Sequence, residues 1–245
     1  MKELIGKKLD LHINPHLDLG ALTELYKKDK TLVIENFLSD ESAHSLYDFY
    51  VMYMPKDWWH ISYAGVKPEV NIDRLTVDYL KDTKNIKDIY DTHHKALGEK
   101  KFCYVFNRSG THHHTCPCGH CQYLVFMQSP HVLAVLSQIT GDSYSHLGEF
   151  FASEFTAGQF LSKHHDIQKG KLSVVYSLAK NWDPTFGGNL YVLKPDWEGI
   201  ETVVLSTFNR LNLMEIPDGQ GKPHFVSQVS DGVDAHRLSI TGWIS

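Results

Sequence analysis

The period of hydrophobic and polar positions changes along the chain. Residues 1–29 mix the two kinds of position and predict a short lead-in with one helix. Thr31–Phe37 (TLVIENF) is an apolar run of strand length. Ser39 then stands as an N-cap, with Asp40 and Glu41 in the first turn of a helix. Its apolar face is Ala43, Leu46, Tyr47 and Tyr50, and Pro55 ends it. Residues 57–75 are aromatic and irregular. A polar helix is predicted over Thr83–Leu97, closed by Gly98, and residues 107–122 (NRSGTHHHTCPCGHCQ) read as an inserted loop. Ser129-Pro130 opens another helix that runs to about Gln138 and stops at Gly141. From Tyr144 onward nearly everything is strand and turn. Helices first and strands after predict a mainly β, α+β domain over 1–245. Residues 1–143 give the N-terminal strand, helices and insertion, and 144–245 the β core.

The β half carries a distinctive set of polar residues. His164-x-Asp166 follows an alternating run, and residues two apart in a strand point the same way. His224 lies downstream in Pro223-His224-Phe225-Val226, after a Gly-rich turn at Gly219-Gln220-Gly221. Two imidazoles and one carboxylate on one face of a metal form the facial triad of non-heme Fe(II) oxygenases. His16-x-Asp18 repeats the spacing in the lead-in, but no strand pattern surrounds it, and it reads as surface. Arg237 sits in HRLSITGWIS, where Leu238, Ile240 and Trp243 suggest a core strand. A guanidinium there needs an anion to offset desolvation, and its planar fork suits a carboxylate such as the distal one of 2-oxoglutarate. Ser239, two residues on, faces the same side.

Composition narrows the partners. The chain has 245 residues and a formal net charge of −5, with no block of five or more like charges, which argues against nucleic acid or an anionic membrane surface. No apolar run reaches transmembrane length and no leader-type stretch opens the chain, so a cytoplasmic protein is expected. Three of the four Cys crowd together, unlike a spread disulfide framework. Histidine is abundant, at 16 residues, which raises the prior for metal binding.

FLSKHHD, SVVYSLAKNWDPTFGGNLYVL, PHFVSQV and HRLSITGWI, in that order, resemble the prolyl-4-hydroxylase-like branch of the Fe(II)/2-oxoglutarate dioxygenases. The likeness covers about residues 145–245, and TLVIENFLSDESAHSLYDF looks like the entry strand and helix of that branch; residues 55–128 match nothing in it. The resemblance implies a double-stranded β-helix, or jelly-roll core, supported by N-terminal helices. It implies His164, Asp166 and His224 as Fe(II) ligands, and Arg237 with Ser239 on 2-oxoglutarate. Ascorbate would act in a supporting role, with dioxygen as oxidant. Relatives often place a Tyr on the co-substrate carboxylate; here Tyr176 and Ser177 compete for that place, and strand parity lets only one face inward. Related halogenases replace the carboxylate ligand by a small residue. Asp166 is present, so hydroxylation is the expected reaction.

Other residues stay open to two readings. Cys116, Cys118 and Cys121, after His112-His113-His114, form either a zinc-binding turn or a substrate lid, with Cys103 a distant fourth thiol. The spacing matches the usual paired zinc signature imperfectly, so structural zinc is not favoured. Trp59 and His60 are the better substrate contacts in an aromatic stretch that packing alone would also explain. Arg74 and Arg108 are further substrate candidates, because a free amino acid needs a cation near the metal and a peptide does not. The leading substrate is a prolyl residue in a peptide or protein, and the alternative is a free amino acid or other small metabolite. Two readings compete with a 2-oxoglutarate hydroxylase: a non-catalytic metal-binding β-helix protein, and a cupin-type enzyme that has no use for Arg237.

Overall fold

The computed structural model describes residues 6–64, 75–78, 83–109, 116–217 and 221–245. Arg74, His112, His113, His114, Gly219 and Gln220, singled out above, lie outside the described residues. Among those described, no helix is long and apolar enough to cross a membrane.

The lead-in helix α1 (Leu19–Asp29) is capped by Asp18, which accepts from the Ala21 N–H. The second His-x-Asp therefore ends in a helix cap. Strand β1 (Thr31–Glu35) and helix α2 (Asp40–Asp48) follow, with Ser39 accepting from the Ser42 N–H. A wider turn, Phe49–Tyr53, continues α2 to just before Pro55. Residues 57–75, read as irregular, instead hold β2 (Trp59–Ala64), which pairs with β3 (Leu75–Asp78) on one side and β4 (Tyr104–Ser109) on the other. Helix α3 (Thr83–Gly98) runs between β3 and β4. The expected loop over 107–122 is shorter than its composition suggested. Its first residues belong to β4, and its last belong to α4 (Gly119–Met127), which is apolar on most sides and so shows no helical stripe. Helix α5 (Pro130–Thr140) starts on Ser129 and ends on Gly141, whose φ is 81°.

The remaining strands are β5 (Leu147–Phe155), β6 (Phe160–His164), β7 (Leu172–Leu178), β8 (Leu190–Leu193), β9 (Ile200–Val204), β10 (Phe208–Glu215), β11 (His224–Val226) and β12 (Arg237–Ile244). They run antiparallel in the order β1-β10-β7-β12-β5-β4-β6-β11-β8-β9, with β2 and β3 attached at β4. The sheet curls into a nearly closed jelly roll, the expected double-stranded β-helix. Each strand sorts its side chains between two interiors. Val174, Tyr176 and Leu178 of β7, and Leu238 and Ile240 of β12, face the helical layer with Leu46, Tyr123 and Leu136. Phe151, Phe155, Val192, Met214 and Trp243 face the inside of the roll. Both groups are apolar, so the strands are clamped from two sides and hold rigid whatever they present inward.

A candidate metal centre and anion pocket inside the roll

The register brings the candidate metal-binding residues together. His224 of β11 pairs directly with His164 at the end of β6, and their rings lie 4.2 Å apart between centroids. Asp166 follows β6 by two residues, and the Gly221 N–H donates to its carbonyl at 2.8 Å, which closes the turn. The imidazole nitrogens and a carboxylate oxygen of His164, Asp166 and His224 all lie within 4.8 Å of one another, so the three residues could hold one metal ion.

Their surroundings fix how each ligand is presented. A carbonyl can only accept, so His164 donates its Nδ1–H to the Ser162 carbonyl at 3.0 Å, and His224 donates its own to the Lys222 carbonyl at 2.8 Å. That leaves each Nε2 as a lone pair. Burial, reinforced by neighbouring His224, pushes the His164 pKa down to about 3, so the ring is neutral and needs to lose no proton on ligation. Trp243 donates its indole N–H to Asp166 Oδ2 at 2.9 Å, leaving the other carboxylate oxygen to a metal. His165, between the ligands, turns away onto Trp197.

The three residues line a cavity of about 470 Å³, and Arg237 lines the same cavity. Arg237 is 5% exposed, and no carboxylate pairs with it among the described residues. Its Nε donates to Ser206 Oγ at 2.6 Å, and its guanidinium lies 4.9 Å over the Phe155 ring. Burial lowers its pKa to about 10, which still leaves it charged at neutral pH. The Gly187-Gly188 pair makes room for it. A Cβ on Gly188 would stand 3.0 Å from Arg237 Cδ, and one on Gly187 would run into the Gln228 carbonyl at 2.1 Å. Both glycines have positive φ, so the turn suits no other residue type well.

The structure distributes the other candidates unevenly. Tyr176 points into the helical layer, donates its hydroxyl to Asn209 Oδ1 at 2.8 Å and stacks on Tyr123, so it does not reach the cavity. Ser177 takes the inward register, level with Ser239 on β12, and its buried hydroxyl has no partner among the described residues. Ser239 bonds Ser153 Oγ at 2.9 Å. An unpaired buried cation and an unpaired hydroxyl on the same inner face suit a small dicarboxylate such as 2-oxoglutarate. Trp59 is buried among the helices near Tyr50 and makes no cavity wall. His60 is level with Arg108 across β2 and β4. Arg108 does line the cavity, 3.6 Å over the Phe151 ring and ion-paired with Glu149, which also meets Lys169 at 3.5 Å. Arg210 is spent on Glu35 and the Leu205 carbonyl. The sequence reading gave Trp243, Ser206, Glu149 and Lys169 no role. Trp243 could have been found by parity, since it shares the inward side of β12 with Arg237.

Comparison with known proteins gives this arrangement a class. Residues 150–245 match the model of the 2OG-Fe(II) oxygenase superfamily. No curated protein sequence matches the chain. Among solved structures, a prolyl hydroxylase from Trichoplax adhaerens, in complex with a hypoxia inducible factor oxygen degradation domain peptide fragment, superposes with a TM-score of 0.60 at 15% identity, over 92% of this chain and 88% of that one. A 2OG-Fe(II) oxygenase family oxidoreductase from Burkholderia pseudomallei gives 0.59 at 12% identity, over 97% and 96%. A Pseudomonas putida prolyl-4-hydroxylase gives 0.50 at 16% identity, over 92% and 97%. The β core thus matches the 2OG-Fe(II) oxygenase superfamily over residues 150–245, and the chain shares its fold with prolyl hydroxylases.

Proposed function

We propose that the chain is a 2-oxoglutarate-dependent dioxygenase that hydroxylates a prolyl residue in a peptide or protein, with His164, Asp166 and His224 holding Fe(II) and Arg237 holding 2-oxoglutarate. The observation that carries the site assignment is the pair of features in one cavity: a three-residue metal-binding group and a buried arginine without a carboxylate. Fe(II), when bound, supplies the oxidation of a C–H bond to C–OH by dioxygen, coupled to conversion of 2-oxoglutarate to succinate and CO2. The residues of the chain do the rest. His164 and His224 offer Nε2 because their Nδ1 hydrogens are committed to backbone carbonyls. Trp243 holds Asp166 in one rotamer. Arg237 accepts the distal carboxylate as a bidentate partner, and Ser177 donates to it. Phe106, Phe151 and Phe155 form an aromatic wall that excludes water and suits a pyrrolidine ring. The likeness in fold to a prolyl hydroxylase that was solved with a peptide fragment supports the prolyl substrate. Ascorbate is assigned the supporting role of keeping the metal reduced.

One observation favours a second reading. Arg108 stands in the cavity wall, where it could take the carboxylate of a free amino acid by leaving Glu149. Succinate release separates the two. Chain loaded anaerobically with Fe(II) is exposed to air with 2-oxoglutarate and either proline-rich peptides or free amino acids. Stimulation by the peptide pool supports the prolyl reading. Stimulation by amino acids alone, lost in Arg108→Ala, replaces it with the second. Iron and 2-oxoglutarate that fail to bind at all would remove the site assignment.

A further inference from the structure

The three clustered cysteines take no part in the site above. They lie in the helical layer on the other side of the sheet wall. Cys118 is the N-cap of α4 and Cys121 lies in its first turn; Pro117 leads in from Cys116. Their sulfurs all lie within 4.8 Å of one another. Zinc–sulfur bonds of about 2.3 Å in a tetrahedron put sulfurs about 3.8 Å apart, so side-chain rotation alone would bring them to ligand spacing. Cys118 and Cys121 are buried, and Cys116 is half-buried beside a second opening of about 310 Å³.

The turn around them is held in place from every side. A Cβ at Gly119 would meet the Phe49 ring at 2.5 Å, so the turn presses on the helical layer as only Gly allows. His120 Nδ1 and the Tyr50 hydroxyl are 2.5 Å apart. Gln122 accepts from the Leu9 N–H at 2.7 Å and donates to the carbonyls of Pro117 and Lys7 at 2.8 and 2.9 Å, which ties the lead-in segment to the turn. The first turn of α4 turns its free N–H groups toward the cluster, and the Cys121 N–H meets the Cys118 sulfur. Burial pushes both inner thiols up, so the metal-free chain carries them protonated. Packing of small apolar groups would need neither three sulfurs in mutual reach nor a helix N-terminus behind them. Cys103 is no part of this group, since it is buried with Ile61, Val105 and Phe160 in a separate cluster.

We infer that Cys116, Cys118 and Cys121 form a thiolate site for Zn2+ that fastens the turn before α4 to the first turn of that helix, independent of the iron chemistry. The soft sulfur set selects zinc over the Fe(II) of the oxygenase site. Zinc takes thiolate rather than thiol, so binding releases protons to solvent and affinity rises with pH. The fourth position is left to water. This reverses the expectation from spacing alone, because the helix turn brings together sulfurs that a linear motif leaves ambiguous.

The test is metal analysis of the full chain purified under reducing conditions, followed by Co2+ reconstitution of the metal-free protein. The expected result is stoichiometric zinc, with an intense thiolate-to-cobalt charge-transfer band that a histidine and carboxylate site cannot give. Cys118→Ser and Cys121→Ser should abolish the band while Cys103→Ser keeps it. Fully reduced wild-type chain that binds no zinc and shows no such band would overturn the inference, as would a disulfide joining two of the three in freshly purified protein. The wild-type measurement decides even if the serine variants do not fold.

Discussion

Replacing Arg237 by Met should move stability and co-substrate affinity in opposite directions. The guanidinium is 5% exposed, and its hydrogen-bond partner among the described residues is Ser206 Oγ at 2.6 Å. A pKa drawn down to about 10 by burial corresponds to roughly 2–4 kcal/mol spent on keeping the charge inside. Met is close to Arg in length and has no charge to desolvate, so the substitution removes that cost and gives up one hydrogen bond of about 1 kcal/mol. Without 2-oxoglutarate the variant should be as stable as the parent or about 1–2 kcal/mol more so, a rise in Tm of a few degrees for a chain of this size. With 2-oxoglutarate the sign reverses. Removing one partner of a buried charge pair costs about 2–5 kcal/mol, so KM for 2-oxoglutarate should rise roughly 30- to several thousand-fold. Calorimetry with and without 2-oxoglutarate, beside succinate release at rising 2-oxoglutarate, reads both. An unchanged KM would refute the assignment of Arg237 to the co-substrate. A fall in the ligand-free Tm by several degrees would show that the guanidinium has a protein partner and that the cavity is not an anion site.

The remaining expectations concern its neighbours. Trp243→Phe removes the hydrogen bond to Asp166 Oδ2 and should weaken Fe(II) about 10- to 100-fold by equilibrium dialysis, and unaltered affinity would take Trp243 out of the site. Tyr176→Phe should cost about 1 kcal/mol in denaturant unfolding and leave KM for 2-oxoglutarate alone, whereas Ser177→Ala should raise that KM several-fold; the reverse pattern would put Tyr176 on the co-substrate. His236 meets Glu154 at 2.5 Å, and that hydrogen bond raises its pKa. The added stability is therefore fully present below the ordinary imidazole value and is lost as pH rises through the raised one. The His236 side chain is 56% exposed, so the effect should be a few tenths of a kcal/mol. The Tm gap between wild type and His236→Gln should accordingly narrow as pH rises above about 6.5, and a gap that does not change with pH would disprove the pairing.

What could be read from the sequence followed local physics. Ser39, Pro130 and Gly141 mark helix ends because capping chemistry sits within a few residues of the backbone groups it satisfies. β2 escaped because its alternation, Trp59, Ile61 and Tyr63 against His60 and Ser62, is only six residues long and its partners β3 and β4 lie elsewhere in the chain. α4 escaped because it is buried on most sides. The same division holds inside the site. His164 and Asp166 stand two residues apart at the end of β6 and can be seen in three letters, but His224 meets them only through a pairing across sixty residues of chain, which no local pattern encodes. That part came from the ordered set of motifs.

Strands β7 and β12 show why polar residues were the harder part. LSVVYSL and RLSITGWI alternate in a way that ordinarily marks a sheet with one face in water. Yet nearly every residue of both strands is buried. The polar positions Ser173, Ser177, Arg237, Ser239 and Thr241 share one inner face, toward the cavity, while Val174, Tyr176, Leu238 and Ile240 hold the strands against the helices. A stability-driven core would fill that inner face with apolar groups, because each buried hydroxyl or guanidinium has to be satisfied or costs free energy. Here Ser177 is left without a partner and Arg237 without a counter-charge among the described residues. The structure tolerates this because the outer faces of the same strands supply the packing. The inner face is then free to keep an unsatisfied cation and an unsatisfied donor, and those are the two groups that an incoming dicarboxylate would complete.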